Sequence, residues 1–227
     1  GWHQVFADDF SQTIPLGSFP AAVAKQWSVY PDGWPDTTHN GTYMPSQVVS
    51  EHDGLLDMYI HSAGGKHLVS ALLPRIPGAP GPEGGLQDGR YAIRFEADSI
   101  PGYKTAWLLW PDTENWPTDG EIDFPEGNLI AGISAFVHHQ SGVSGKDQDV
   151  FPTSVSYAGW HTAVIERTAG AVRFYLDDQM IGQSTSRLPT SPMHWVLQTE
   201  TMLDGPPPSD SAAGHVLVDW VAAYTPA

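Results

Sequence analysis

The strongest constraint on what this chain can fold into is its punctuation. Turn-forming pairs cut it at close intervals: Asp53-Gly54, Gly64-Gly65, Gly84-Gly85, Asp88-Gly89, Asp119-Gly120, Ala169-Gly170 and Asp177-Asp178. Between them, apolar and polar residues alternate with period two in stretches 55–61, 90–97, 105–110, 120–124, 133–139, 162–166, 171–176, 195–202 and 215–224. That period places successive side chains on opposite faces of a sheet, so each stretch reads as a strand. No segment keeps a helical period with caps over three turns, and residues 21–29 have room for one short helix at most. Short strands separated by frequent turns predict an all-β fold, a two-sheet antiparallel sandwich or a barrel.

Nothing divides the chain. Its 227 residues suffice for one core, and no repeat, low-complexity tract or linker interrupts them, so one domain over 1–227 is expected. Two long loops stand out. Residues 30–45 carry Trp34, His39, Asn40 and Tyr43, and residues 74–85 are thick with Pro and Gly. Long ordered loops over a rigid sheet are where binding residues concentrate.

Charge narrows the partners. Lys and Arg number 10 against 26 Asp and Glu, a formal charge of −16. Such a surface repels phosphate backbones and anionic headgroups, so neither nucleic acid nor membrane is expected. No cysteine is present, which removes disulfides and thiolate metal sites. No apolar run approaches the ~18 residues of a membrane helix, and no signal peptide is recognisable.

The chemistry concentrates in one segment, Trp107-Leu-Leu-Trp110 followed by Trp116-Pro117 and Glu121-Ile-Asp123-Phe-Pro-Glu126. In a strand Glu121 and Asp123 share a face, and Ile122 and Phe124 share the opposite one. Glu126, five residues beyond Glu121, falls on the wrong face of a regular strand. One extra residue in a β-bulge restores its parity, and Pro125 stands where proline is tolerated in a sheet. The spacing then resembles four residues, roughly 13 Å between Cα atoms. Side chains leaning together close the carboxylates to about 5–6 Å, the gap of a retaining glycosidase pair. Crowded carboxylates cannot all ionise freely, so one acid is held protonated beside an ionised neighbour. Indole faces suit the CH faces of sugar rings. The same spacing also suits a solvated acidic face or a Ca²⁺ site of three carboxylates.

With these residues laid out, the chain resembles glycoside hydrolase family 16, the laminarinase-like β-jelly rolls. Glu121-Ile-Asp123-Phe-Pro-Glu126 matches that family's Glu-x-Asp-x-x-Glu pattern, and Trp107, Trp110, Trp116 and Pro117 match its approach. Residues 6–10, 89–96, 160–177 and 218–221 match other family strands in order, so the resemblance spans nearly the whole chain. It implies a jelly roll with a concave cleft, in which Glu121 is the nucleophile, Glu126 the general acid/base and Asp123 the group that tunes Glu121. It also implies cleavage of a β-linked polysaccharide, β-1,3-glucan first, then mixed-linkage glucan or galactan; the expected open cleft points to endo action, the substrate class to secretion, and monomer is the default. No cofactor is required. A structural Ca²⁺ of the kind relatives carry would fall at Asp9 and Asp219. The lengthened motif matches the bulged branch. Two family segments are replaced here, by residues 198–202 and by the loop around Asn40.

Around the trio, Trp116 is expected as a sugar platform, and Trp110 rather than Trp107 in the cleft. His138 faces the cleft if Ile133, Ala135 and Val137 face the core, which brings it within reach of Asp123. Arg90, Asn40, Glu200, Trp34 and Tyr43 complete the candidate sugar-binding set. A non-catalytic carbohydrate-binding module keeps the aromatics but has no need of the trio. A polysaccharide lyase needs basic groups that this composition lacks. Transfer to a sugar instead of water is compatible with the motif.

Overall fold

The computed structural model describes residues 1–77 and 84–227. Two sheets face each other across an aromatic and aliphatic core, a jelly-roll sandwich. The inner, seven-stranded sheet carries the candidate site. Its spatial order is Gln148–Ser156, Gly132–His138, Glu121–Asn128, Tyr103–Pro111, Met193–Thr201, Ala71–Pro74 and Trp27–Val29, all antiparallel. The outer sheet has ten strands, with Gly89–Ala97 and Ala213–Pro226 paired near its centre. Among the described residues, its one parallel pair joins Gly41–Tyr43 to Lys66–Val69.

Alternation explains why the inner sheet turns one face to the core. Along Gly132–His138, Ile133, Ala135 and Val137 are buried while Ser134, Phe136 and His138 are half-exposed. Ile122 and Phe124 enter the core from the carboxylate strand, and Trp107 and Leu109 from its neighbour. There Phe95 meets Trp107 edge-on at 5.1 Å, Tyr91 meets Trp195 at 5.3 Å and Phe124 meets Phe174 at 5.5 Å. Such edge-to-face pairs add about 0.5–1.5 kcal/mol each beyond the area they bury.

The short helix expected over 21–29 is a single 3-10 turn, Ala21–Val23, followed by the strand Trp27–Val29. Trp27, which is fully buried, packs between Phe6, Phe10 and Phe19 and donates its indole N–H to Asp8 at 2.8 Å. Strands Val49–His52, Lys66–Val69, Gln148–Ser156 and Gln179–Ser184 also go beyond the sequence reading. Of the loop 74–85, residues 78–83 lie outside the described residues.

One buried acid gives the fold a pH dependence. Glu51 is 1% exposed, and its Oε1 has no hydrogen-bond partner. Burial, and then the nearby Asp8 carboxylate, push its pKa from 4.5 up to about 7. The native state therefore holds a proton that the unfolded chain has already released in this interval. Its stabilising effect is complete below about pH 4.5 and is lost as pH rises through about 7. We expect Glu51→Gln to melt above the wild type at pH 8 and level with it at pH 4. Parallel melting curves across that range would contradict this.

Candidate active site

The carboxylate strand, Glu121–Asn128, is bulged. Asp123 pairs with Phe136 and Leu108, and Glu126 with Ser134 and Ala106, so three steps along this strand match two on each neighbour. The register shift falls at Phe124 and Pro125, and it returns Glu126 to the face of Glu121 and Asp123. All three line one cleft of about 570 Å³. Gly120 sets the start of the strand. Its φ of +72° suits glycine, and a Cβ there would stand 2.5 Å from the His138 carbonyl oxygen.

Glu121 and Asp123 are 8% and 2% exposed. Burial first, and then the adjacent Asp123 carboxylate, raise the Glu121 pKa well above the ordinary range. Burial and the Glu126 carboxylate do the same to Asp123. The pair therefore retains a proton that two solvated acids would have lost. His138 Nε2 lies 3.3 Å from Asp123 Oδ2 and 3.8 Å from Glu121 Oε2. These three residues bring donor atoms within 4.8 Å of one another, a spacing a cation also accepts.

Aromatic rings flank the acids. Trp110 and Trp116 stack at 6.2 Å and 18°, and Trp116 meets His138 edge-on at 6.1 Å. Trp110 is anchored through its N–H to Glu114 at 2.8 Å, whereas Trp107 is wholly buried in the core. On the other side, Tyr30 packs against Trp34 and Tyr43 at 5.9 and 5.3 Å. Trp34 is 55% exposed and lines the cleft.

The loop carrying Trp34 is fastened to the strand Met193–Thr201 by two buried acids. Asp36 accepts from the backbone N–H groups of Thr38, Gly41 and Thr201 and from the hydroxyls of Thr38 and Thr201, at 2.6–3.1 Å. Glu200 Oε1 accepts from the Thr37 N–H and hydroxyl and from the Tyr43 hydroxyl, at 3.1, 2.5 and 2.9 Å. Burial and then Glu200 hold the Tyr43 hydroxyl in its protonated form. Glu200 and Tyr43 line the cleft, but they also lock the loop.

Several expectations need correction. Arg90 lies on the outer sheet, bound to Glu166 at 2.9 Å, and does not line the cleft. Asn40 is exposed at the loop tip, its N–H turned to Thr38 Oγ1 at 3.0 Å; His39 beside it reaches the cleft instead. Asp219 contacts the Arg94 guanidinium, and Asp9 accepts the Ser11 N–H at 3.3 Å.

The sequence reading passed over Lys104. It is 5% exposed, directly opposite Glu200 on the next strand, and its ammonium contacts Glu126 Oε1. Burial works against its charge, but Glu126, Glu200 and Asp123 outweigh that and hold its pKa above the ordinary value. Lys104 shares strand parity with Ala106, Leu108 and Trp110, which all line the cleft. A strand begun one residue earlier than 105 would have included it. Asp36, Tyr30, Gln198 and Leu203 also line the cleft.

The backbone matches solved structures closely. The laminarinase from Rhodothermus marinus superposes with a TM-score of 0.79 at 21% identity, covering 99% of this chain and 97% of that one. The chain has the fold of a laminarinase. SCLam, a non-specific endo-β-1,3(4)-glucanase from glycoside hydrolase family 16, gives 0.79 at 17% identity over 99% and 91% of the two chains. LamA from Zobellia galactanivorans, solved in complex with laminaritriose and laminaritetraose, gives 0.71 at 20% identity over 98% of both. Another structure with this fold, at 0.78 and 20% identity over 99% and 91%, comes from work on endo-acting O-glycanases that initiate mucin breakdown in the human gut. No protein-family model matches the sequence, and no curated protein matches it.

Proposed function

We propose that this chain is a retaining endo-glycoside hydrolase acting on a neutral β-linked polysaccharide, with β-1,3-glucan as the first candidate. The observation that carries the reading is the bulge, which sets Glu121, Asp123 and Glu126 side by side in an aromatic-walled cleft. A solvated acidic face does not need two of its carboxylates 8% and 2% exposed.

The reaction is a double displacement. Glu121 as carboxylate attacks the anomeric carbon, forming a C–O bond as the glycosidic C–O bond breaks with its electron pair on the leaving oxygen. Glu126 gives that oxygen a proton. Glu126 then takes a proton from water, which attacks the anomeric carbon and frees Glu121. The proton held by the Glu121–Asp123 pair must sit on Asp123 during attack, with His138 beside it. No cofactor is called for.

The substrate class follows from charge. The lining sets Asp36, Glu121, Asp123, Glu126 and Glu200 against Lys104, which disfavours sulfated or uronic polymers. The laminarin oligosaccharides bound to the Zobellia protein support β-1,3-glucan, while the O-glycanase example shows that the fold alone does not name the sugar. Such a polymer lies outside cells, so a secreted monomer is the working expectation. The test is reducing-end release from laminarin, curdlan, barley β-glucan, agarose, carrageenan and xyloglucan. Release from laminarin and curdlan is expected. Retention of a polymer in a pull-down without release from any would support a binding module instead.

A further inference from the structure

Lys104 presents an obstacle to the reaction just described. An ammonium in contact with a carboxylate favours the ionised form, and Glu126 needs a proton to act as the acid. Yet Lys104 Nζ contacts Glu126 Oε1, and the two side chains are only 6% and 16% exposed. A second acceptor stands ready. Glu200 faces Lys104 across the strand pair Tyr103–Pro111 and Met193–Thr201, and its three loop hydrogen bonds all fall on Oε1.

We propose that Lys104 is a positioning residue that clamps Glu126 in the free protein and passes to Glu200 as sugar enters, releasing Glu126 to act as the acid. The inference rests on the glycosidase reading above. Lys104 keeps its three protons throughout and only its ion pair moves. Glu126 takes one proton from solvent once released and delivers it to the glycosidic oxygen. The clamp fixes the rotamer of Glu126 until substrate is present.

Other groups around Glu126 do not substitute for this contact. Glu121 and Asp123 share its strand, His138 comes from one neighbouring strand and Glu200 from beyond the other, and Asp36, His39 and Tyr43 come from the loop. Tyr157, wholly buried, lies near enough for the Glu126 charge to act on its hydroxyl. Among these described residues Lys104 alone carries a permanent positive charge.

The test compares wild type with Lys104→Met, Lys104→Gln and Lys104→Arg. The Glu126 carboxyl is followed by ¹³C NMR titration of glutamate-labelled protein, assigned with Glu126→Gln. The pH profiles of kcat/KM and of kcat on laminarin are measured in parallel, the first reporting the free protein and the second the substrate complex. In the Met and Gln variants, the Glu126 midpoint and the basic limb of kcat/KM should both rise by about one pH unit or more, the basic limb of kcat should rise less, and in the Arg variant all should stay near wild type. A midpoint that is unchanged or lower in the folded neutral variants overturns the clamp. A basic limb of kcat that rises as far as the midpoint overturns the release step. If wild type hydrolyses no polymer, the glycosidase reading fails together with the release step, and the NMR midpoint still decides the clamp.

Discussion

Glu121→Gln should lower kcat on laminarin by on the order of 10⁴-fold or more, leave KM within a few-fold, and raise the melting temperature at neutral pH. The first effect is the loss of the only group placed to attack the anomeric carbon, and removing a nucleophile of this kind is among the largest single-residue effects on kcat. The second follows because the aromatic walls, Trp34, Trp110 and Trp116, are untouched. The third follows from linkage. Burial and Asp123 raise the Glu121 pKa, so its contribution to stability is complete below its ordinary 4.5 and is lost as pH rises through the folded value. A neutral amide removes that loss, and with it the like charge beside Asp123. A steady-state assay and a thermal melt on the same preparation check all three. Substantial residual turnover, or a lower melting temperature at pH 8 than the wild type, would contradict the assignment.

Asp36→Ala should destabilise the fold by about 3–4 kcal/mol, because it strands several of five donors in a site only 2% exposed and each unsatisfied group costs about 1–3 kcal/mol. In a chain of this size that corresponds to a fall in melting temperature of roughly 10 °C. The functional consequence is the larger interest. Asp36 ties the loop to Thr201 next to Glu200, whose own bonds to Thr37 and Tyr43 depend on the loop staying in place. Releasing it removes Trp34 and Tyr43 from the cleft together, so KM should rise more than kcat falls. Gly41→Ala offers an independent route to the same state, since a Cβ there would lie 2.2 Å from Asp36 Oδ2. Thermal melts and steady-state kinetics on both variants measure the effect. Unchanged stability with unchanged KM would show that the loop is held by other means.

The bulge of the carboxylate segment was legible because its code is local. Parity puts Glu121 and Asp123 on one face, and Pro125 marks where the ladder must slip to bring Glu126 round. The alternation of Ile133, Ala135 and Val137 placed His138 in the same way. Arg90 was misplaced because parity gives a face within a sheet and not which sheet, and its strand belongs to the outer one. Lys104 and Asp36 were passed over for a different reason. A lone lysine at a strand edge and a lone aspartate in a loop carry no pattern; their roles come from contacts with Glu126 and Thr201, 22 and 165 residues away. The short strands Gly41–Tyr43 and Val49–His52 were likewise invisible, since three or four residues are too few to establish a period.

The most direct test of the central claim is the configuration of the first product. Wild-type protein is mixed with laminarin, and the nascent reducing end is followed by ¹H NMR before mutarotation. A β-anomer appearing first, with the α-anomer growing in only by mutarotation, is the result expected of Glu121 and Glu126 acting as nucleophile and acid/base. An α-anomer appearing first would mean that water attacks directly, and that the bulged pair is not a retaining pair.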